Sequence, residues 1–135
     1  RRERIDRALN VNEVCDVNPF GVEAFTAAYR EGGPWIDALC RYLRGNYTAV
    51  SRYFTEHLPR LRVMPLEGTY LVWVDIRAPG LSSDALTARL LEQARVMVNS
   101  GTMYGPAGEG YIRINLATRR ALLREGIQRI IDHIA

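Results

Sequence analysis

Apolar residues recur along the chain at two spacings, and the change from one to the other marks out its elements. Ile36, Leu39, Leu43, Tyr47, Val50, Phe54 and Leu58 follow one another at steps of three and four, which is the stripe of one helix face. Pro34 opens that helix and Pro59 stops it. At 1.5 Å per residue it runs about 36 Å, enough to cross a small domain. Tyr42, Tyr53 and His57 sit beside the stripe. Ahead of it, one helix is predicted from Arg2 to about Asn10. A second starts at Asn18, whose side chain can cap it, with Pro19 in the first helical position. Val22, Phe25, Ala28 and Tyr29 keep helical spacing until Gly32-Gly33.

Beyond Pro59 the period shortens. Strands are predicted over Leu61 to Met64 and Thr69 to Ile76, joined by the turn residues Pro65-Leu66-Glu67-Gly68. The run Tyr70 to Val74 is apolar throughout, which predicts a strand buried on both faces. Pro79-Gly80 breaks the chain, and Ser82 or Ser83 can cap a helix carrying Leu86, Leu90 and Leu91 on one face. A short strand at Val96 to Val98, a glycine-rich loop and a strand at Tyr111 to Leu116 follow. Thr118 can cap a last helix that faces inward through Leu123, Ile127, Ile130, Ile131 and Ile134. The order α-α-β-β-α-β-β-α predicts an α+β fold: a small mixed or antiparallel sheet of three to four strands with helices packed on it, preceded by the long helix. No repeat, low-complexity tract or linker interrupts it.

Composition narrows the classes. The 135 residues are one domain's worth of chain. A content of 47% apolar and 24% charged residues fits a soluble globular protein and excludes disorder as the main state. The longest apolar run falls far short of the ~20 residues of a membrane span, and no signal peptide opens the chain, so no membrane partner is expected. Two cysteines, Cys15 and Cys40, are too few for a disulfide scaffold and point to a reducing cytoplasm. Cys40, near the helix stripe, reads as a small core residue. Arg1 is not a methionine, and the chain enters helix-forming residues without a cap, which reads as a cut through a longer protein.

All eighteen basic residues are arginine, a bias that a GC-rich genome produces. No ε-amine in this stretch can therefore form a Schiff base or act as a lysine base. The net charge of +3 is a weak signal for nucleic acid. The clusters Arg1-Arg2-Arg4 and Arg119-Arg120-Arg124 lack aromatic interleaving and any groove-reading motif, so no nucleic-acid partner is expected.

Several residues invite chemical readings. The loop Gly101-Thr-Met-Tyr-Gly105-Pro-Ala-Gly108-Glu-Gly110 resembles a phosphate cradle in composition, yet it leads into a strand rather than a helix and lacks a Walker lysine. It reads either as a turn-rich connection or as a wall over a ligand site. Arg113 alternates with apolar residues in Tyr-Ile-Arg-Ile-Asn-Leu, inside a strand expected to be mostly covered. A buried arginine needs a partner, and either a protein carboxylate or an anionic ligand gripped by its planar fork would serve. His57 and His133 stand far apart with no further ligand at metal spacing, so they read as solvated helix-surface residues and no metal site is expected. There is no G-x-S-x-G elbow and no paired acid motif for a hydrolase. Spacing alone thus reaches an α+β domain with one candidate anion-binding arginine.

Three strings carry more. Asn18-Pro-Phe-Gly-Val-Glu-Ala, Pro65-Leu-Glu-Gly-Thr-Tyr-Leu-Val-Trp-Val-Asp and Asn99-Ser-Gly-Thr-Met-Tyr-Gly-Pro-Ala-Gly-Glu-Gly-Tyr-Ile-Arg-Ile-Asn-Leu-Ala occur in this order. From about Asp16 to its end the chain resembles the C-terminal part of the MalY/PatB-type cystathionine β-lyases. These C–S lyases stand among the class I/II aminotransferases, pyridoxal-phosphate enzymes of fold type I.

The resemblance implies residues 1–33 at the end of a large cofactor domain with an interface loop, 34–58 as the long connecting helix, and 59–135 as the C-terminal small domain. It implies pyridoxal 5'-phosphate in the parent protein, a sulfur-containing amino acid as substrate and a homodimer. No catalytic residue is assigned here, because the family's Schiff-base lysine would precede Arg1; the 135 residues alone are expected to be inactive. Arg113 matches the arginine that binds the substrate α-carboxylate. Asn99, Gly101 and Tyr104 would belong to a wall of the substrate site, and Asn18, Pro19 and Phe20 to a loop near the dimer interface and the neighbouring cofactor. An aminotransferase shares every one of these features. A non-catalytic α+β ligand-binding module is the alternative of another class.

Overall fold

The computed structural model describes residues 1–11 and 18–134, so Cys15 and Asp16 lie outside the described residues. In place of the single domain suggested by length, two compact units are present, Arg1–Leu39 and Cys40–Ala135. Burial explains the division: among the described residues, no side chain of the first unit is buried.

The first unit holds helix α1 (Arg2–Asn10), helix α2 (Pro19–Glu31) and the start of helix α3 (Gly33–His57). Asn18 caps α2 as its sequence position suggests, its Oδ1 accepting from the Phe20 N–H at 2.9 Å, with Pro19 at the first helical position. Gly32 ends α2, its N–H donating to the Ala28 carbonyl at 2.9 Å. The apolar residues of α2 stay exposed, Phe20 at 84% and Tyr29 at 79%.

The second unit contains the core. After α3 come strand β1 (Arg62–Val63), strand β2 (Leu71–Asp75), helix α4 (Ser83–Arg89) extended by a π turn over Leu90–Ala94, strand β3 (Asn99–Ser100), strand β4 (Tyr111–Asn115) and helix α5 (Arg120–Ile134). The four strands form one sheet in the order β1-β2-β4-β3, antiparallel at every pairing, in agreement with the α+β expectation. Val72 and Val74 of β2 and Ile112 and Ile114 of β4 point into a core with Val50 and Phe54 of α3, Leu86 and Leu90 beside the sheet, and Leu123, Ile127, Ile130 and Ile131 of α5.

Several sequence expectations need correction. β2 is buried on one face only: Leu71, Trp73 and Asp75 are half-buried while their neighbours are covered, because the helices pack on a single side of the sheet. The third strand forms at Asn99–Ser100 instead of Val96 to Val98, since only there does the chain reach β4. Leu91 and Cys40 are exposed, each turned off its helix's inward face. Ile36, at 46% exposure, is not part of the core, which the α3 stripe joins fully only from Val50 onward. Thr118 does not cap α5; the Tyr42 hydroxyl accepts from the Arg120 N–H at 2.9 Å in that role. Among the described residues no helix is long and apolar enough to cross a membrane.

Candidate functional site

β4 carries Arg113 at its centre, opposite Trp73 of β2 and opposite Asn99 of β3. Side chains alternate between the two faces of a strand, so with Ile112 and Ile114 in the core, these three form one row on the face turned away from it. Arg113 is consequently half-buried rather than enclosed in a covered strand, which corrects the sequence expectation.

Its guanidinium has defined neighbours. Nη2 donates to Asn99 Oδ1 at 3.1 Å, and Cζ lies 4.5 Å from the ring centroid of Tyr104, a cation–π distance. Trp73 meets Tyr104 and Tyr111 edge to face at centroid separations of 5.3 and 6.4 Å. The Arg113 Nε is buried and has no acceptor. Among the described residues no carboxylate pairs with Arg113; the ion pairs are Arg52–Glu56, Arg77–Asp75 and Arg129–Glu125. Of the two partners open to this arginine, a protein carboxylate therefore has no candidate among the described residues. An arginine held by an amide and an aromatic ring, with its charge unneutralised, is suited to bind a carboxylate anion.

The glycine-rich segment brings Tyr104 to that position. It folds into two 3₁₀ turns, Gly101–Tyr104 and Pro106–Gly108, and then enters β4. Gly101 and Gly108 lie backbone against backbone: a Cβ on Gly101 would sit 2.0 Å from the Gly108 carbonyl oxygen, so neither position accepts a side chain. Gly101 serves the site through this close approach, not through a contact of its own.

Both ends of the segment are tied to the first turn of α4. Ser83, fully buried, accepts at its Oγ from the Gly110 and Tyr111 N–H groups at 2.8 and 3.1 Å. The Ser83 N–H donates to Glu109 Oε1 at 2.9 Å, so a glutamate from the loop takes the capping role the sequence offered to Ser82 or Ser83. Asp84 Oδ1 accepts from the hydroxyls of Ser100 at 2.5 Å and Thr102 at 2.6 Å. Those hydrogen bonds, that of Ser100 first, hold the Asp84 carboxyl below its ordinary range.

Sequence reasoning named Arg113, Asn99, Gly101 and Tyr104, and the fold brings them together. It missed Trp73, Ser83 and Asp84. Trp73 was legible as an outward position once β2's alternation was known, whereas Ser83 and Asp84 read only as a cap and a first-turn acid. Asn18, Pro19 and Phe20 belong to the other unit, at the start of α2. His57 is exposed and stacks on Tyr53 at 6.0 Å, and His133 Nδ1 lies 2.8 Å from the Arg129 carbonyl. Among the described residues no group of three or more His, Cys, Asp or Glu is placed to hold a metal.

Residues 37–130 match the profile of the family "Aminotransferase class I and II". The chain belongs to that family. It is 37% identical over 130 residues to the cystathionine beta-lyase PatB of Bacillus subtilis strain 168, covering 96% of this chain and 34% of that protein. Among solved structures, cystalysin from Treponema denticola, which contains a pyridoxal 5'-phosphate cofactor, superposes with a TM-score of 0.91 at 27% identity, over 98% of this chain and 34% of that one. An aromatic aminotransferase from Pyrococcus horikoshii OT3 superposes at 0.86 and 27% identity, over 96% and 34%. The chain spans about a third of the length of the curated relatives it matches. Lyases and aminotransferases thus share this α+β unit and its preceding helices.

Proposed function

We propose that this chain provides the substrate-carboxylate side of a pyridoxal-phosphate-dependent C–S lyase of cystathionine β-lyase type. The reaction converts a sulfur-containing amino acid and one water to pyruvate, ammonia and a thiol. The observation that carries the proposal is Arg113, fixed by Asn99 and Tyr104 on the open face of the sheet with no carboxylate partner among the described residues. In this reading residues 1–33 close a cofactor domain, 34–58 connect and 59–135 form the small domain. On the same reading the parent is a cytoplasmic homodimer, and the uncovered aromatic residues of α2 support the dimer.

The residues present fit the substrate and not the cofactor's own attachment, since the chain has no lysine to condense with an aldehyde. When bound, pyridoxal phosphate supplies an electron sink for charge developing at the substrate α-carbon. This chain's part is positioning. Arg113 grips the α-carboxylate through two N–H donors, which fixes the orientation of the bonds at the α-carbon. Asn99 accepts from Nη2 and sets the plane of the guanidinium, while the Tyr104 ring supports it from one side. Trp73, packed against Tyr104, limits how far that ring can turn.

An aminotransferase would use the same arginine, and the Pyrococcus structure favours keeping that reading as the second one. The full-length enzyme separates them: pyruvate released from L-cystathionine without a keto acid marks the lyase, and a requirement for a keto acid marks the aminotransferase. In that enzyme Arg113→Ala lowers kcat/KM by about 100-fold, corresponding to about 3 kcal/mol for a lost charged pair. An unchanged kcat/KM would remove Arg113 from the site, and pyruvate production by the 135 residues alone would overturn the whole reading.

A further inference from the structure

We propose that Asp84 is a positioning residue for carboxylate binding, acting through Ser100 and Thr102 on the two groups that hold Arg113. The inference rests on the carboxylate reading of Arg113 and deepens it. Ser100 opposes Ile112 and points to the core side of the sheet, where α4 lies; Asn99, one residue earlier, opposes Arg113 and points to the other side. A constraint on Ser100 is therefore a constraint on the Asn99 backbone and on where its Oδ1 meets Arg113. Thr102 lies in the 3₁₀ turn that ends at Tyr104, so holding its hydroxyl fixes the turn that carries the ring.

One carboxylate oxygen takes both hydroxyls, which stand 2.8 Å from each other, so the strand end and the turn are locked to a single atom of α4. Ser83, the preceding residue, ties down the far end of the loop at Gly110 and Tyr111. The first turn of α4 thus holds the loop at both ends. Asp84 touches none of the ligand-facing groups itself, and its effect is transmitted along the chain.

The test is calorimetric titration of the full-length holoenzyme with 3-(methylthio)propionate, a thioether carboxylate with no amino group to react, and with its amide as the uncharged control. Asp84→Asn is expected to weaken carboxylate binding about 10-fold and leave the amide unchanged. Thr102→Val, which removes a hydroxyl at nearly constant volume, weakens carboxylate binding in the same sense, and Thr102→Ser binds as the wild type. The Thr102 pair keeps the proposal testable where Asp84→Asn fails to fold. If Arg113→Ala binds the carboxylate as the wild type does, the carboxylate reading itself fails. If Arg113→Ala abolishes binding while Asp84→Asn and Thr102→Val leave it unchanged, the positioning role alone is overturned. Equal weakening by Thr102→Ser and Thr102→Val overturns it as well, because the hydroxyl is then not the agent.

Discussion

Arg113 and Tyr104 meet through the ring face, with the guanidinium carbon 4.5 Å from the centroid. Eight residues lie between them in sequence, and two 3₁₀ turns bring the ring back over the strand. Tyr104 is half-exposed, so its ring is the boundary between the arginine and solvent. Such a face offers a cation about 0.5–1 kcal/mol at an exposed site and more when water is excluded.

Replacing that ring should therefore loosen the arginine without removing it. Tyr104→Leu in the full-length enzyme is expected to raise KM about fivefold, and Tyr104→Phe, which keeps the ring, less than twofold. Steady-state kinetics on L-cystathionine read this directly. Equal effects from both variants would show that the hydroxyl, not the ring, matters.

The long-range order of elements was readable from the chain because period and punctuation agreed. Pro34, Pro59 and Pro79-Gly80 each interrupt backbone hydrogen bonding, and the apolar spacing between them changes with the element. What failed was burial by face. The run Tyr70 to Val74 is apolar at every position, so sequence gave no sign that Trp73 would stay half-open beside Arg113. The strand at Asn99–Ser100 was also misplaced, since Val96 to Val98 have the stronger β propensity and only the reach of β4 decides where pairing starts. Arg113 itself was legible because a charge among apolar strand residues needs an explanation. Asn46 and Asp84 were not, because nothing local tells which polar side chain of a helix will be engaged by groups distant in the chain. Asn46 is buried against the β4–α5 turn, and Asp84, though exposed, takes two hydroxyls from residues 16 and 18 positions away.

Asn46 is the clearest such case. It is fully buried in α3, where its Nδ2 donates to the carbonyls of Leu116 at 2.9 Å and Thr118 at 3.2 Å, and its Oδ1 accepts from Arg120 Nε at 3.1 Å. Those contacts tie α3 to the turn between β4 and α5. Asn46→Ala should destabilise the chain by about 2–3 kcal/mol, read as a lower urea midpoint, because buried carbonyls lose a donor. Asn46→Asp should be at least as damaging, since it keeps the Arg120 acceptor but turns a carboxylate oxygen toward two carbonyls. A stable Asn46→Asp variant would show that the Arg120 contact alone matters.

The pair Asp75–Arg77 gives a prediction about acid. Arg77 donates from Nε to Asp75 Oδ1 at 3.0 Å and from Nη2 to Oδ2 at 2.7 Å, and its backbone N–H also reaches Oδ1. The guanidinium hydrogen bonds, with that N–H second, hold the Asp75 carboxyl down to about 2 from its ordinary 3.8. A carboxyl lowered in the folded state binds fewer protons there than in the unfolded chain. Its contribution is therefore fully present above about pH 4 and is lost as the pH falls toward 2. Arg77 is largely exposed, so solvent screens the pair and its contribution is small. Asp75→Asn should thus lower stability slightly at neutral pH, flatten the loss between pH 4 and 2, and converge with the wild type only as the pH falls below 2. Urea midpoints measured at half-unit steps of pH test this, and parallel curves for the two proteins across that window would show that Asp75 titrates no differently in the folded chain.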